Sequence, residues 1–212
     1  MEDKIKRLTA ILSAAPVVPV LTIDDHRVAV PLARALVAGG LTALEVTLRT
    51  AAGLDCVRAI ADSVEGADAG AGTVMDARQY EAAAKAGASF VVSPGATAGL
   101  IAAARDSKVP YLPGVATAGE AMNLADEGYR LLKFFPAEPA GGIAYLKALA
   151  APLPLMRFCP TGGIGAQNAA AYLALPNVVC VGGSWVAPGN LVAAADWAAI
   201  TALSRAAMTL RA

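Results

Sequence analysis

The sequence predicts an α/β fold, a (β/α)8 or TIM barrel with an extra helix at its N-terminus. Along its 212 residues, short β-branched apolar runs alternate with alanine-rich helical segments, which is typical of βαβ units and a parallel sheet. There are eight such runs, the number of strands that closes this barrel. An open doubly wound sheet is the alternative, but no GxGxxG motif follows the first run to support its dinucleotide-binding form.

The predicted strands are nearly continuous apolar runs, as expected where helices cover one side of a sheet and a core fills the other. In chain order they are VVPVLTI (17–23), LTALEVTL (41–48), ADAGAGTV (67–74), SFVV (89–92), VPYLPGV (109–115), YRLLKFF (129–135), LMRFCPTGG (155–163) and VVCVGG (178–183). The predicted helices follow them in turn, at residues 24–38, 51–64, 76–86, 98–106, 119–127, 142–150, 166–175 and 191–205. No linker divides the chain, so residues 1–212 are predicted to form a single barrel domain.

Local signals support these helix boundaries. Glycines at 39–40, 87 and 128 stand where the first, third and fifth helices must end. Asp76, and either Thr117 or Gly119, stand where helix N-caps are expected. Ahead of the first strand, the segment 2–14 has apolar residues at helical spacing, which predicts the extra helix; they are Ile5, Leu8, Ile11 and Leu12.

Composition excludes several classes of protein. Since 17 Lys and Arg balance 17 Asp and Glu, there is no basic excess of the kind that nucleic-acid binders show. No apolar run approaches the ~20 residues of a membrane-spanning helix, and the start of the chain lacks the apolar stretch of a signal peptide. Cys56, Cys159 and Cys180 have no CxxC spacing, so reduced thiols in a cytoplasmic protein are expected.

Histidine chemistry has little support in this chain. His26 is the single histidine, which argues against His-clustered zinc sites and against Ser-His-Asp or Cys-His catalytic triads. It lies early in the first predicted helix, beside charged residues, and is interpreted as a surface or capping residue.

Lys133 lies in the most apolar surroundings of any lysine in the chain, the segment LLKFFP. A lysine is rarely buried without a partner or a task. Burial of a lysine favours its neutral amine, the form that attacks a carbonyl carbon to give a Schiff base. Taken alone, the residue is equally consistent with a lysine that reaches out to solvent or pairs structurally with a carboxylate.

Glu45 is a second charged residue within an apolar run. Alternation along a strand places Glu45, Thr47 and Arg49 on one face of the second strand. The same alternation places Lys133 and Phe135 on one face of the sixth strand. If both faces point into the barrel, an amine and a carboxylate share one interior, as Schiff-base chemistry requires. The alternative is a structural ion pair, which is costly to desolvate and adds little net stability.

Further candidates lie where strands end, because reactive groups in this fold lie at the C-terminal ends of strands. Arg49 offers a guanidinium fork to a carboxylate or phosphate, or is a solvated loop residue. Thr73 follows the small residues GAG, which let a ligand approach the backbone or simply make a turn. The segment 161–164 is predicted to open the seventh helix; with 182–184 it fits a phosphate site, or makes two tight turns.

With these residues identified, the sequence resembles the 2-keto-3-deoxy-6-phosphogluconate (KDPG) aldolase and 4-hydroxy-2-oxoglutarate aldolase family over nearly its whole length. The motifs KFFPAE and LEVTLRT are highly specific, and they occur in the family's order. All the motifs that carry the resemblance are PVVPVLTID (16–24), LEVTLRT (44–50), GAGTV (70–74), VSPG (92–95), LPGVAT (112–117), KFFPAE (133–138), PTGGI (160–164) and GGSW (182–185).

The resemblance implies a class I aldolase that uses no metal and no other cofactor, and that cleaves KDPG to pyruvate and glyceraldehyde 3-phosphate. By resemblance, Lys133 forms the Schiff base and Glu45 is the general acid/base. The implied partners are small molecules, a keto acid and a phosphorylated aldehyde, and the implied assembly is a homotrimer. The resemblance also assigns four residues to the pyruvate pocket and four to the substrate's far end and phosphate: Arg49, Thr73, Pro94 and Phe135, then Thr161, Gly162, Gly163 and Ser184.

Three alternatives stay open at the level of sequence. The same chemistry could act on the galactonate-derived epimer of KDPG or on 4-hydroxy-2-oxoglutarate, since a few pocket contacts decide between these substrates. A phosphosugar isomerase or epimerase would use Glu45 as a base and Lys133 only as a charge. A non-catalytic phosphosugar-binding barrel keeps the glycine turns but leaves a buried Lys–Glu pairing unexplained.

Overall fold

The computed structural model describes residues 2–210 and confirms an α/β fold, with parallel strands in curled sheets and helices around them. The strands are β1 (Val17–Leu21), β2 (Ala43–Thr47), β3 (Asp68–Gly72), β4 (Phe90–Val92), β5 (Tyr111–Leu112), β6 (Gly114–Val115), β7 (Leu131–Phe134), β8 (Arg157–Pro160) and β9 (Val181–Gly183). The helices are α1 (Glu2–Ser13), α2 (Ala29–Ala38), α3 (Gly53–Ser63), α4 (Ala77–Lys85), α5 (Ala98–Asp106), α6 (Ala118–Asp126), α7 (Gly142–Ala150), α8 (Ala169–Leu173), α9 (Gly189–Ala193) and α10 (Trp197–Met208). Within the described part of the chain, none of them has both the length and the apolar character needed to cross a membrane.

The strands form two parallel sheets. One has six strands in the order β5-β4-β3-β2-β1-β9, and the other has three in the order β6-β7-β8. In the first sheet, Glu45 of β2 is aligned with Val20 of β1 and Gly70 of β3. In the second, Lys133 of β7 is aligned with Cys159 of β8. The two charged residues therefore belong to different sheets.

Residues 2–210 contain nine strands, where the sequence predicts eight. The difference arises in the predicted strand 109–115, which is divided into β5 and β6 at Pro113. Proline has no N–H to donate to a neighbouring strand, although the Pro113 carbonyl accepts a bond of 2.9 Å from the backbone N–H of Lys133. Two isolated parallel bridges join the region of β8 to the segment that ends in β9: Phe158 of β8 pairs with Val178, and Thr161, directly after β8, pairs with Gly182 of β9.

Two predicted helices are interrupted by other backbone structure. The predicted helix 24–38 begins only at Ala29, because a 3-10 turn over His26–Val28 comes first. His26 is exposed in that turn, as expected for a surface residue. The predicted helix 191–205 is two helices, α9 and α10, since Ala195 between them has a φ of 51°, which a right-handed helix does not allow.

The predicted N-caps are confirmed. The Asp76 carboxylate accepts a hydrogen bond of 2.7 Å from the backbone N–H of Gln79 in α4. Thr117 and Glu120 form a reciprocal capping box at the start of α6. These caps satisfy backbone N–H groups that would otherwise lack partners.

The predicted N-terminal helix is α1. Its apolar side chains Leu8 and Leu12 are buried in one cluster with Ala43 of β2 and Leu131 of β7. Because side chains alternate along a strand, Ala43 and Leu131 share strand faces with Glu45 and Lys133, two residues further along. Helix α1 therefore packs on the N-terminal side of the charged pair. The C-terminal ends of the strands lie on the other side of the pair.

Candidate active site

Lys133 and Glu45 meet inside the curled sheets. Nζ of Lys133 donates a hydrogen bond of 3.0 Å to Oε1 of Glu45. Their side chains are only 6% and 3% exposed. The structure therefore brings together the two charged side chains that the sequence predicts to share one interior.

The absence of a side chain at Gly72 makes room for the Glu45 carboxylate. A Cβ atom at Gly72 of β3 would lie 2.3 Å from Oε1 and 2.5 Å from Cγ of Glu45, closer than real Cβ atoms approach. The carboxylate thus lies directly against the backbone of β3, and only glycine at position 72 allows so close a contact. The alignment of β2 with β3, in which Thr47 faces Gly72, sets this contact.

Phe135 covers one side of the lysine. Nζ of Lys133 lies 5.3 Å from the centroid of the Phe135 ring, within the range of a cation–π interaction. The ring is half-buried, so it places an apolar surface next to the amine. This contact agrees with the predicted placement of both residues on one face of their strand.

Thr73 and Pro94 follow β3 and β4, the next two strands after β2 in the six-stranded sheet. Thr73 comes directly after β3 and has a φ of 58°, a left-handed conformation that threonine seldom adopts. Pro94 follows β4, and its backbone lies against β6, where a Cβ at Gly114 would be 2.3 Å from the Pro94 oxygen. Both residues are half-buried. Within residues 2–210, neither has a hydrogen bond to Lys133 or Glu45.

Arg49 stands at the exposed end of this group, two residues after β2. Its Nε donates a hydrogen bond of 3.2 Å to Oγ1 of Thr47, and its Nη2 donates one of 2.6 Å to Oγ1 of Thr22. The sequence indicates Arg49 as a candidate binding residue and places it on the same strand face as Thr47. It gives no sign of Thr22, because that contact joins two loops that follow different strands.

Thr161, Gly162 and Gly163 form the turn after β8. Thr161 is buried, and the two glycines have φ values of 102° and 79°. Within the described residues, the backbone N–H groups of both glycines have no hydrogen-bond acceptor. Ser184, after β9, is exposed and lines a cavity of about 510 Å³ next to the end of β1.

The prediction that this glycine turn opens a helix is wrong. Helix α8 begins at Ala169, and a separate turn comes first, in which Asn168 Oδ1 accepts a hydrogen bond of 2.8 Å from the backbone N–H of Gly165. An anion at Gly162 and Gly163 would therefore meet N–H groups of a turn rather than those of a helix start.

Glu138 and Tyr172 support the glycine turn, and the sequence does not indicate their contact. The hydroxyl of Tyr172, buried in α8, donates a hydrogen bond to Oε1 of Glu138. A Cβ at Gly163 would lie 2.6 Å from Cγ of Glu138, so the side chain of Glu138 rests on the turn. Burial raises the pKa of Tyr172, and the hydrogen bond to Glu138 raises it further.

The described residues offer no cluster of three His, Cys, Asp or Glu side chains placed to hold a metal ion. The three cysteines are buried thiols. Burial raises the pKa of the Cys56 thiol to about 11, which keeps it protonated and a poor nucleophile at neutral pH.

Comparison with known proteins identifies close relatives. The model of the aldolase family described as KDPG and KHG aldolase matches residues 8–203. A relative from Pseudomonas aeruginosa, named 2-dehydro-3-deoxy-phosphogluconate aldolase, is 52% identical over 208 residues, which are 98% of this chain and 94% of the relative.

Two solved structures share the fold closely. The 2-keto-3-deoxy-6-phosphogluconate aldolase of Zymomonas mobilis ZM4, solved with 3-phosphoglycerate, is 46% identical with a TM-score of 0.93, covering 98% of each chain. The KDPG aldolase of Legionella pneumophila, with pyruvate captured at low pH as a covalent carbinolamine intermediate, is 44% identical with a TM-score of 0.92, covering 94% of this chain and 97% of that one.

Proposed function

The chain belongs to the KDPG and KHG aldolase family, and from this premise we propose that it cleaves KDPG to pyruvate and glyceraldehyde 3-phosphate through a Schiff base on Lys133. As a member of this family it is a carbon–carbon lyase. The observation that carries the proposal is the hydrogen bond of 3.0 Å between Lys133 and Glu45, both nearly inaccessible to solvent. An amine and a proton-transfer group in contact are what Schiff-base chemistry needs.

The first step uses the hydrogen bond itself. Transfer of one proton from Nζ of Lys133 to Oε1 of Glu45 gives a neutral amine and a carboxylic acid, and the pair keeps the same total charge. Burial favours this transfer, because the neutral amine and the carboxylic acid are both uncharged. The neutral amine attacks the C2 carbonyl of KDPG to form a carbinolamine. The protonated Glu45 then gives its proton to the leaving hydroxyl, and water departs.

The resulting protonated imine withdraws electrons from the substrate. Removal of the C4 hydroxyl proton by the Glu45 carboxylate breaks the C3–C4 bond, and glyceraldehyde 3-phosphate leaves. The bonding electrons form an enamine, which takes the proton back at C3. Water then hydrolyses the imine, which releases pyruvate and restores the amine. Every group in this sequence is a side chain, the substrate or water, so the proposal includes no cofactor and no metal.

The pyruvate half of the substrate is assigned to four residues around the amine: Arg49, Thr73, Pro94 and Phe135. Their positions directly or shortly after β2, β3, β4 and β7 support this assignment, since binding and reactive groups in this fold lie at the C-terminal ends of strands. The Arg49 guanidinium is suited to the carboxylate of a keto acid. The Phe135 ring offers an apolar surface beside the reacting carbon.

The phosphate end of the substrate is assigned to the loops after β8 and β9: Thr161, Gly162, Gly163 and Ser184. The free N–H groups of the glycine turn support this assignment, because such groups bind anions. So does the bridge between Thr161 and Gly182, which holds the two loops side by side. The related Zymomonas mobilis structure was solved with 3-phosphoglycerate, a phosphorylated three-carbon acid.

The proposal extends to the architecture. We propose that β5 and β6 act as one strand interrupted at Pro113, and that the two sheets then close into an eight-stranded barrel through this strand and through the bridge from Thr161 to Gly182. Residues 1–212 would form this single domain; Met1, Arg211 and Ala212 lie outside the described residues. A homotrimer and a cytoplasmic location complete the proposal, the latter supported by three buried thiols.

Borohydride reduction in the presence of pyruvate tests the function. Reduction of the imine should add a pyruvate-derived mass to the peptide that contains Lys133, with loss of lyase activity in step with labelling. An isomerase or epimerase that uses Lys133 only as a charge would stay unmodified, and so would a non-catalytic binding protein. Labelling of a different lysine would overturn the assignment of Lys133.

Comparison of kcat/KM for KDPG, its galactonate-derived epimer and 4-hydroxy-2-oxoglutarate tests the substrate. We expect KDPG to have the highest value. The family description names KHG as well as KDPG, so 4-hydroxy-2-oxoglutarate is the second candidate. Equal values for the three compounds would defeat the choice of KDPG as preferred substrate.

A further inference from the structure

Two threonine hydroxyls hold the Arg49 guanidinium. Nη2 of Arg49 donates to Oγ1 of Thr22 at 2.6 Å, and Nε donates to Oγ1 of Thr47 at 3.2 Å. The two hydroxyl oxygens are themselves 3.4 Å apart. Nε–H and the adjacent Nη2–H are parallel in a guanidinium, so the two threonines together occupy one whole edge of the group.

The occupied edge determines which N–H groups remain for a ligand. A guanidinium has five N–H donors in a fixed, planar arrangement. Two of them point to Thr22 and Thr47. Among residues 2–210, Arg49 has no other hydrogen bond and no ion pair. The remaining donors lie on Nη1 and on the far side of Nη2, which is the outer end of the group.

Thr47 is fixed independently of Arg49. Its hydroxyl donates its only proton to the carbonyl oxygen of Leu21 at 3.0 Å, and the side chain is buried between β1 and β2. Its oxygen is therefore left to accept the hydrogen bond from Nε of Arg49. Thr22 is exposed and follows β1 directly, so it is the adjustable member of the pair.

We propose that Thr22 and Thr47 are positioning residues that orient Arg49 so that its outer end, Nη1 and Nη2, receives the carboxylate of the keto acid. This inference rests on the proposed function, which assigns Arg49 to the substrate carboxylate. An exposed arginine has much rotamer freedom to lose when it binds a ligand. Two hydroxyl acceptors remove that freedom before the substrate arrives, and they direct both outer nitrogens to the carboxylate oxygens at once.

The first test replaces Thr22 by Val, which keeps the shape and removes the acceptor, and by Ser, which keeps the acceptor. The readout is the pyruvate concentration that gives half-maximal borohydride trapping at Lys133. We expect this concentration to rise about tenfold in Thr22→Val, the size of one hydrogen bond to a charged group, and to stay near wild type in Thr22→Ser. The rate of trapping at saturating pyruvate should change little.

The matched control is Thr50→Val. Thr50 is the next residue after Arg49. Its hydroxyl donates to the carbonyl of Ile23 at 2.6 Å and has no hydrogen bond with the Arg49 guanidinium. Loss of this local hydrogen bond should leave the pyruvate dependence unchanged. An equal rise in Thr50→Val would show that general loosening of the loops is responsible, and would overturn the inference.

Pyruvamide, the uncharged amide of pyruvate, separates positioning of Arg49 from a structural role. Wild type should prefer pyruvate to pyruvamide in the trapping assay, and Thr22→Val should reduce that preference. If Thr22→Val weakens trapping of both compounds equally, or of neither, the inference is wrong. Failure of the proposed function has a different outcome, since wild-type Lys133 would then not be trapped by pyruvate at any concentration.

Discussion

Lys133 Nζ and Glu45 Oε1 are 3.0 Å apart, although the two residues are separated by 88 positions in the chain. Each lies in an apolar strand, and the two strands belong to different sheets. Breaking a buried pair of this kind leaves an uncompensated charge and costs about 3–5 kcal/mol. The contact therefore affects stability and activity together, and variants at the two positions must be tested for both.

Lys133→Met should abolish lyase activity and borohydride trapping, because no other group in the site can form the imine. Lys147→Met, which removes an exposed lysine of α7, is the matched control and should behave as wild type. Since Lys133→Met alone leaves Glu45 without its partner, the double variant with Glu45→Gln serves as the folded comparison, checked by circular dichroism. Full lyase activity in Lys133→Met would overturn the catalytic assignment.

Glu45→Gln should lower kcat by about 10²- to 10⁴-fold, the usual contribution of a general acid/base. The amine is still present, so trapping by pyruvate should continue at a reduced rate. Exchange of the C3 protons of pyruvate in D2O, followed by NMR, should slow in parallel with kcat. The exposed Glu65 supplies the control: if Glu65→Gln and Glu45→Gln have the same small effect, Glu45 is not the proton-transfer group.

Gly72→Ala should reduce kcat strongly without touching a titratable residue. The new methyl group would lie 2.3 Å from Oε1 of Glu45, so the carboxylate must move away from Lys133. Gly119→Ala is the control, because no atom lies within 4 Å of a Cβ at that position. Steady-state kinetics and a denaturant unfolding curve for each variant separate displacement of Glu45 from loss of stability. Unchanged kcat in Gly72→Ala would mean that the pair tolerates a shift of this size.

Gly163→Ala should weaken binding of phosphorylated substrate selectively. Its φ of 79° is strained for alanine, and its methyl group would lie 2.6 Å from Cγ of Glu138. The turn should therefore move relative to Ser184, raising KM for KDPG more than KM for 4-hydroxy-2-oxoglutarate, which has no phosphate. Pyruvate trapping at Lys133 should be unaffected. A KM increase of the same size for both substrates would contradict the assignment of this turn to the phosphate.

Alkaline pH should destabilise the protein through its buried tyrosines. Burial raises the pKa of Tyr129 to about 12, above the ordinary value of 10.0, and it raises the pKa values of Tyr80 and Tyr111 as well. The folded state thus keeps a neutral phenol where the unfolded chain ionises. This contribution to stability is complete below pH 10 and is lost as pH rises towards the folded pKa.

Urea unfolding between pH 8 and pH 11 measures this effect, and Tyr129→Phe identifies part of it. The variant should lose less stability over this range than wild type. At pH 8 it should be at least as stable, because the Tyr129 hydroxyl is buried and has no hydrogen-bond partner within the described residues. Equal losses in both proteins would show that groups other than Tyr129 dominate the alkaline transition.

Much of the site was accessible from local patterns. Lys133 and Glu45 stand out because charged residues interrupt apolar strands, and strand alternation pairs them with Phe135 and Thr47 without knowledge of the fold. The N-caps at Asp76 and Thr117 are also predictable, because each depends on residues only three positions apart. By contrast, the glycine turn at 162–163 was wrongly expected to open a helix, because two glycines before an alanine-rich segment look the same whether or not another turn intervenes.

The sequence by itself determined the alternation of strands and helices, the strand faces and the charged residues within them, because these depend on residues close together in the chain. Only the tertiary structure decided the interruption at Pro113, the contact of Tyr172 with Glu138 and the edge of Arg49 that Thr22 occupies. The contacts of Tyr172 with Glu138 and of Arg49 with Thr22 join segments that follow different strands, and they depend on how closely two backbones approach. No single segment of the chain encodes that distance.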